Sequence, residues 1–130
     1  MNTNNEEQKL TRFIDSFAGV LNAADVASIP SFFSEDGKFM PNGVKTITGL
    51  DTLVKSAKNN LAKIAFQIQF TVEEIQIDGH FAFITAKANT SQLEAGSELL
   101  VNKTTRDFFV LKKESVDWKI YRYIFNYSKN

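Results

Sequence analysis

The chain has 130 residues, enough for one domain with one hydrophobic core, and its 43% hydrophobic and 23% charged residues are ordinary globular composition. Its 15 Lys and Arg residues balance 15 Asp and Glu residues, so it lacks the basic surplus of a nucleic-acid-binding protein or a membrane-surface protein. With no cysteine and one histidine, the sequence excludes disulfides and predicts neither a metal site nor a cofactor. The polar N terminus and the absence of a long apolar run predict a cytoplasmic protein that contacts no membrane.

The first half of the chain has the apolar spacing of helices. From Leu10 onward the i, i+3, i+4, i+7 pattern of an amphipathic helix is carried by Phe13, Ile14, Phe17, Val20 and Leu21. Residues 1–8 are predicted to be a flexible tail, followed by a single domain over residues 9–130. A short second helix is predicted from Asp25, a good N-cap, or from Ser28 because Pro30 is unfavourable inside a helix. A short strand follows at 38–40, and a third helix is marked by Leu50, Leu53, Val54, Ala57 and Leu61.

The second half of the chain has the alternation of strands. Apolar residues alternate with polar ones over 66–72, and the phase then flips, which predicts a β-bulge at Glu73 and Glu74. Asp78-Gly79 predicts a hairpin turn into a strand over 80–88, and two further strands are expected near 98–112 and 116–127. We therefore predict an α+β fold in which three N-terminal helices pack on a strongly curved, mostly antiparallel sheet.

The last strand is apolar on both faces, which is unusual for an antiparallel sheet with one wet face. If three helices cover one face, the other would leave a large apolar patch exposed. We therefore predict a homodimer that buries Tyr121, Tyr123 and Phe125 between the two sheets. The alternative is that the tyrosines face water through their hydroxyls.

A family resemblance is carried by five short segments in a fixed order, none of them specific alone. They are Leu21-Asn22-Ala23-Ala24-Asp25, Phe32-Phe33-Ser34-Glu35-Asp36, Gly49, Thr105-Arg106 and Trp118-Lys119-Ile120. Between Leu10 and Ser128 the sequence resembles the nuclear-transport-factor-two-like superfamily, which includes ketosteroid isomerase, SnoaL-like polyketide cyclases and the hub domain of calcium/calmodulin-dependent protein kinase. The resemblance implies a cone-shaped half-barrel, with a bent sheet around a long first helix, a pocket at the open end and usually a dimer.

The resemblance does not bring the isomerase chemistry with it. Ketosteroid isomerase uses a carboxylate base with a tyrosine and a protonated carboxylic acid as donors. In the matching register Phe17 stands in place of the tyrosine and Pro41 in place of the base, and Asp107 alone matches the third group. Cyclases and dehydratases of the superfamily need an Asp–His pair, whereas His80 beside a turn is expected to be solvated. We therefore favour a protein without conventional catalysis, and keep Asp107 or Asp15 as the base of an alternative enzyme.

The arginines are the predicted polar end of the pocket. Arg122 shares a strand face with Trp118 and Asn126, and the resemblance implies that all three line the pocket. The resemblance to the kinase hub favours Arg106, rather than its neighbour Asp107, as inward-facing. Two buried guanidiniums would bind the carboxylate of a small organic acid, unless an internal acid such as Asp15 or Glu94 neutralises them. The remaining predicted lining is apolar and aromatic: Phe13, Phe17, Phe33, Met40, Phe66 and Phe108.

Three functions follow from these residues. The preferred one is a dimeric small-molecule-binding domain whose arginine-lined pocket takes an organic acid. The alternatives are a SnoaL-like cyclase or isomerase with an Asp base, and a protein assembly module whose pocket is vestigial. An open cavity would favour the first, and a cone filled by side chains would favour the third.

Overall fold

The computed structural model of the protein describes residues 3–129, with side chains from residue 5, as helices packed on one six-stranded sheet. The elements in chain order are helix α1 (Thr3–Asn22), a 3₁₀ helix (Val26–Phe32), β1 (Phe33–Met40), β2 (Ile47–Thr48), α2 (Leu50–Asn60), β3 (Gln67–Asp78), β4 (Phe81–Leu93), β5 (Leu100–Glu114) and β6 (Asp117–Ser128). The prediction of an α+β fold with three helices and a mostly antiparallel sheet is confirmed.

Helix α1 buries the stripe that the sequence predicts, with Leu10, Ile14 and Phe17 all in the core. It begins before that stripe, however, because residues 3–8 are also helical. The carboxylate of Glu6 accepts a hydrogen bond of 2.9 Å from the ammonium of Lys113 on β5. The prediction of a flexible tail is therefore wrong over residues 3–8, and residues 1 and 2 lie outside the described residues.

The second helix begins directly after Asp25, the first of the two predicted starts, but it is a 3₁₀ helix. The hydroxyl of Ser28 donates to the Asp25 carboxylate at 2.6 Å. Pro30 lies inside the helix, where it cannot donate a backbone hydrogen bond. Short 3₁₀ turns are common connectors, and this one buries Ile29 against the core.

The strands are ordered β2-β1-β6-β5-β4-β3 across the sheet. All neighbours are antiparallel except β1 and β6, which are parallel. The first strand is longer than predicted, and the two-residue β2 was missed. The hairpin between β3 and β4 turns at Gly79, whose φ of 61° suits glycine, as the Asp78-Gly79 signal predicts.

Two bulges change which side chains face the helices. The first, between Val72 and Glu74 of β3, lies where the sequence predicts it. The second is on β6, where Ile120 pairs with Leu111 and Arg122 already pairs with Val110, so Tyr121 is the extra residue. An extra residue reverses the alternation of every side chain beyond it, and this second reversal was not predicted. None of the described helices is both long enough and apolar enough to cross a membrane.

Candidate functional site

A cavity of about 300 Å³ lies between the helices and the inner face of the sheet. Its helical side is formed largely by apolar residues of α1, the 3₁₀ helix and α2, and the segment between β1 and β2 lines its edge. Seven aromatic rings line it: Phe17, Phe33, Phe39, Phe66, Tyr123, Phe125 and Tyr127. The protein thus encloses a mainly apolar space of the size that small-molecule sites have.

Asp107 is the one carboxyl group in this lining, and it is only 2% exposed. It lies on β5 and points inward with Thr105, two residues earlier on the same strand face. The hydroxyl of Thr105 donates to Oδ1 of Asp107, and the hydroxyl of Tyr123 donates to Oδ2 at 2.6 Å. Both oxygens of a buried carboxyl group are therefore held in place by inward-facing hydroxyls.

The Tyr123 ring is fixed by stacking as well as by its hydrogen bond. Its centroid lies 4.1 Å from that of Phe109 and 5.0 Å from that of Phe39, with interplanar angles of 14° and 24°. Phe17 of α1 meets the same ring edge-on at 6.1 Å. These ring contacts hold Tyr123 in the orientation that directs its hydroxyl at Asp107, so the Asp107–Tyr123 pair is preorganised.

Burial dominates the ionisation of this pair. It raises the pKa of Asp107 above that of an ordinary aspartate, and the hydrogen bonds from Thr105 and Tyr123 oppose that increase only in part. The pKa of Tyr123 lies well above its usual value, first because the phenol is buried and then because Asp107 is next to it. Tyr123 therefore stays a neutral donor, and Asp107 is the group at this site that can gain or lose a proton.

No cluster of three or more metal-ligating side chains occurs in the part of the chain that the structure describes. Asp107 is bound by hydroxyl donors rather than grouped with other ligands. The site is best described as an apolar cavity with one proton-binding group.

The sequence profile of the SnoaL-like domain family matches residues 10–125, which include the Asp107–Tyr123 pair and all of the cavity lining except Tyr127. The chain belongs to the SnoaL-like domain family. No curated protein is detectably similar to it in sequence.

Solved structures share the fold of this SnoaL-like domain at low sequence identity. A protein from Novosphingobium aromaticivorans, provisionally named a scytalone dehydratase, has a TM-score of 0.85 at 14% identity, with 98% of this chain and 87% of that chain covered. A provisionally named dehydratase of the NTF2-like family from Streptomyces avermitilis has a TM-score of 0.83 at 14% identity, with 99% and 100% covered. A ketosteroid isomerase-like protein from Erwinia carotovora atroseptica has a TM-score of 0.80 at 16% identity, with 92% and 94% covered. At these identities the likeness shows the fold alone. The predicted resemblance to SnoaL-like domains is confirmed by the family match over residues 10–125.

Arg122 does not face the cavity of the SnoaL-like domain, so its predicted placement is wrong. Beyond the β6 bulge it lies on the outer face of the sheet, paired with Val110. Its guanidinium donates to the backbone oxygens of Asp36 and Tyr121 and lies 3.8 Å from the centre of the Tyr121 ring. The charge is partly solvated and needs no ligand.

Arg106 also lies on the outer face, where its Nε donates to the side-chain oxygen of Asn126 at 2.9 Å. The predictions that Arg106 and Asn126 line the pocket are therefore wrong. Of the neighbours Arg106 and Asp107, strand alternation turns the carboxyl group inward, opposite to the choice made from the sequence. The arginine-lined end of the pocket does not exist in this fold.

The predicted apolar lining is partly correct. Phe17, Phe33 and Phe66 line the cavity, as does Pro41. Phe13 packs edge-on against Phe32 instead, Met40 is half-buried and not part of the lining, and Phe108 lies on the outer face. Trp118 is buried beneath Lys113 at the start of β6, far along the strand from Tyr127 at the cavity.

The remaining predicted residues divide in the same way. Of the three predicted interface residues, Tyr121 lies on the outer face near Phe81, whereas Tyr123 and Phe125 line the cavity because the bulge reverses their direction. Asp15 is exposed on α1 and is not part of the cavity lining, so it is not a candidate base. His80 is exposed in its turn, as expected.

Sequence reasoning missed seven polar residues of the lining: Ser56, Asn60, Thr90, Gln92, Thr105, Tyr123 and Tyr127. A signal for Thr105 was present, because it is in phase with Asp107 on one strand. A signal for Tyr123 was also present: beyond position 122 the aromatic residues occupy odd positions, whereas Trp118 and Ile120 occupy even ones. A change of phase of this kind on β3 correctly predicted the bulge there.

Proposed function

We propose that this protein binds a small, mainly apolar and uncharged organic molecule in the cavity, with one polar group of that molecule held against Asp107. The observation that carries the proposal is a buried carboxyl group, fixed by two hydroxyls, in the lining of an otherwise mostly apolar space. A mainly apolar pocket with a few convergent polar groups is the usual form of a small-molecule site.

The charge of the lining supports an uncharged ligand rather than the organic acid that the sequence suggested. No lysine, arginine or histidine is among the described residues that line the cavity, and Asp107 is the acid nearest any ligand. A carboxylate there would be buried without a cationic partner beside another carboxyl group, which is unfavourable. A hydroxyl or carbonyl group suits Asp107 better.

A substitution that fills the cavity with a larger side chain tests this proposal; we call such a substitution a plug. Ala57 of α2 lines the cavity, and Ala62 just beyond that helix is exposed and does not. We expect a naphthol to raise the melting temperature of the wild type and of Ala62→Phe, and to leave that of Ala57→Phe unchanged because the larger side chain fills the space. Ser56→Phe, from the same helix, gives a second plug should Ala57→Phe fold poorly by circular dichroism.

Equal stabilisation of the plugged variants and the wild type would place the naphthol elsewhere and contradict the proposal. The absence of any stabilisation of the wild type would do the same. Arg122→Met should bind naphthol as the wild type does, because its side chain lies on the outer face.

A second candidate function is acid–base catalysis by Asp107, as in an isomerase or cyclase. The raised pKa of this buried carboxyl group favours it, because a general acid or base works best with a pKa near the working pH. With no second carboxyl group and no histidine or lysine among the described lining residues, Asp107 would take a proton from one atom of the substrate and return it to another. Phe17 occupies the position of the isomerase's tyrosine donor and Pro41 that of its base, and neither side chain can transfer a proton.

We also propose that the protein is a homodimer formed through the outer face of the sheet. Four apolar side chains adjoin there through strand pairing, and we call them the outer patch: Phe83, Phe108, Val110 and Ile124. Phe108 and Ile124 are each 41% exposed. A second copy that presents the same patch would cover them, and this supports a dimer for the binding domain and for the assembly module alike.

A further inference from the structure

The segment between β1 and β2 contains the sequence Asn42-Gly43 at the edge of the cavity. Pro41 before this pair and Val44 after it both line the cavity, whereas Asn42 and Gly43 are exposed. The four residues form a turn that is closed by a hydrogen bond from the backbone nitrogen of Val44 to the backbone oxygen of Pro41. At 3.4 Å this bond is longer than the usual N–H···O bond, so it restrains the turn only weakly.

The backbone nitrogen of Gly43 is accessible. It has no hydrogen-bond partner among the described residues. The φ of Gly43 is 71°, in the left-handed region that glycine adopts without strain, and nothing lies within 4 Å of the position that a Cβ atom would take. Neither a hydrogen bond nor a neighbouring side chain therefore keeps this nitrogen from the side-chain carbonyl carbon of Asn42, the residue before it.

The other asparagines are in regular structure. Within the described part of the chain they lie in α1, α2, β4, β5 or β6, and each is followed by a residue with a side chain. A helix or a strand fixes the backbone and engages its N–H groups in hydrogen bonds, and a side chain on the following residue hinders the approach of its nitrogen. Asn42 differs from the other described asparagines in both respects.

The side chain of Asn42 holds the cavity edge against β6. The ladder between β1 and β6 ends where Met40 pairs with Ile124. Beyond it, the backbone nitrogen of Tyr127 donates to Oδ1 of Asn42 at 3.3 Å, so this side chain continues the attachment of the segment to β6. Tyr127 also lines the cavity. A chemical change at Asn42 would therefore alter how this edge is held.

We propose that Asn42 is a site of spontaneous deamidation and isomerisation that releases this edge of the cavity from β6. The backbone nitrogen of Gly43 attacks Cγ of Asn42, a C–N bond forms, and the side-chain nitrogen leaves as ammonia with the proton of the attacking nitrogen. The product is a cyclic imide. Water then opens one of its two C–N bonds to the Gly43 nitrogen, which gives aspartate or isoaspartate.

The two products differ in what they do to the cavity edge. Each adds one negative charge there. Aspartate keeps an oxygen on the original side chain, and this oxygen can still accept from the Tyr127 nitrogen. In isoaspartate the main chain runs through the former side chain and gains a methylene group, and the carboxylate is carried by the former main-chain carbonyl carbon. The isoaspartate form therefore loses the bond to Tyr127.

Incubation of the purified full chain at mildly alkaline pH, followed by peptide mass spectrometry, tests the site. We expect the mass change of an amide-to-acid conversion in the peptide that contains Asn42, and methylation of that peptide by an isoaspartate-specific methyltransferase. Asn42→Gln should lose both signals, because its extra methylene requires a less favourable six-membered ring. Asn89→Gln, which changes an exposed asparagine of β4, should react as the wild type does.

Hydrogen exchange at the Tyr127 amide tests the release of the cavity edge. We expect this amide to lose protection in the isoaspartate form and to keep it in freshly purified Asn42→Asp. No conversion at Asn42 in the folded chain, or equal conversion at Asn89, would overturn the proposed site. Conversion to isoaspartate that leaves the Tyr127 amide protected would overturn the release. Neither measurement depends on whether naphthol binds, so the binding function is tested separately.

Discussion

At the scale of residues, the chemistry of this protein is concentrated in Asp107. Burial makes the carboxyl group reluctant to ionise, while Thr105 and Tyr123 donate to it and favour the ionised form. Burial is the larger effect, so the pKa is raised. The proton of Asp107 therefore links stability to pH.

That linkage predicts how stability changes with pH. Because the pKa of Asp107 is higher in the folded state, the proton stabilises the fold fully below the unfolded-state pKa of about 4, and this stabilisation is lost as the pH rises through the folded-state pKa. We expect the free energy of unfolding of the wild type to fall relative to that of Asp107→Asn over this range. Urea denaturation of both proteins at a series of pH values measures the difference.

The difference between the two proteins isolates Asp107. The pKa values of Glu6 and Asp36 are lowered, first by hydrogen bonds from Lys113 and Ser34, and lowered values change stability with the opposite sign. Both groups are present in the wild type and in the variant, so their contributions to the pH dependence cancel in the difference. Tyr123→Phe, which removes a donor to Asp107, should enlarge the loss of unfolding free energy as the pH rises. Tyr121→Phe on the outer face should not change it. A difference that grows in favour of the wild type as the pH rises would mean that the hydroxyls outweigh burial.

At the scale of elements, the β6 bulge decides which side chains of β6 line the cavity. Up to Ile120 the even-numbered residues face the core, and from Tyr123 onward the odd-numbered ones do. The bulge therefore turns the Tyr123 hydroxyl to Asp107 and Arg122 to the outer face. If Tyr121 took a regular place in the ladder, Arg122 would face inward in place of Tyr123.

Close packing of β1 against β6 is part of the same region and gives a prediction at Gly37. A Cβ atom there would lie 2.9 Å from the backbone oxygens of Ile120 and of Ser34, and backbone atoms cannot easily move aside. We expect Gly37→Ala to lower the free energy of unfolding by about 1–3 kcal/mol, the usual cost of overpacking. Urea denaturation measures the effect.

Gly19 provides the matched control. It lies on the exposed side of α1, and nothing lies within 4 Å of the position of its Cβ. Gly19→Ala should raise the free energy of unfolding by about 0.5–1 kcal/mol, because glycine is unfavourable inside a helix. If both substitutions proved stabilising, the tight approach of β1 to β6 at Gly37 would be refuted.

At the scale of the whole molecule, the two faces of the sheet have separate tasks in our proposals. The inner face lines the cavity, and the outer face carries the patch that a second copy would cover. We expect Phe108→Glu with Ile124→Glu to convert a dimer into a monomer, because two like charges on paired positions at the centre of an apolar interface would be buried without cationic partners. Sedimentation velocity at micromolar concentration distinguishes the two states.

Val116→Lys is the control for that experiment. Val116 is 72% exposed in the turn between β5 and β6 and lies outside the outer patch, so its substitution should leave the dimer intact. A wild-type monomer at these concentrations would contradict the proposed dimer. Such a result would leave the cavity and its Asp107–Tyr123 pair unaffected.

The sequence alone determined the features that depend on local chemistry. The core stripe of α1 follows from helical spacing, and the β3 bulge and the Gly79 hairpin follow from alternation and turn residues. Each of these features depends only on residues that are close together in the sequence. Helical spacing in the first half and strand alternation in the second predicted the α+β architecture, and the order of five short segments indicated the superfamily.

The tertiary structure alone decided which residues form the site. Arg106 and Asp107 are adjacent on β5, and Tyr121 and Arg122 are adjacent on β6, so an error of one residue exchanges a buried group for an exposed one. Which of them faces inward depends on the register between β5 and β6, and on where β6 takes its extra residue. That register is set by packing across the sheet and against the helices, and it places Asp107 and Tyr123, 16 residues apart in sequence, in one hydrogen bond.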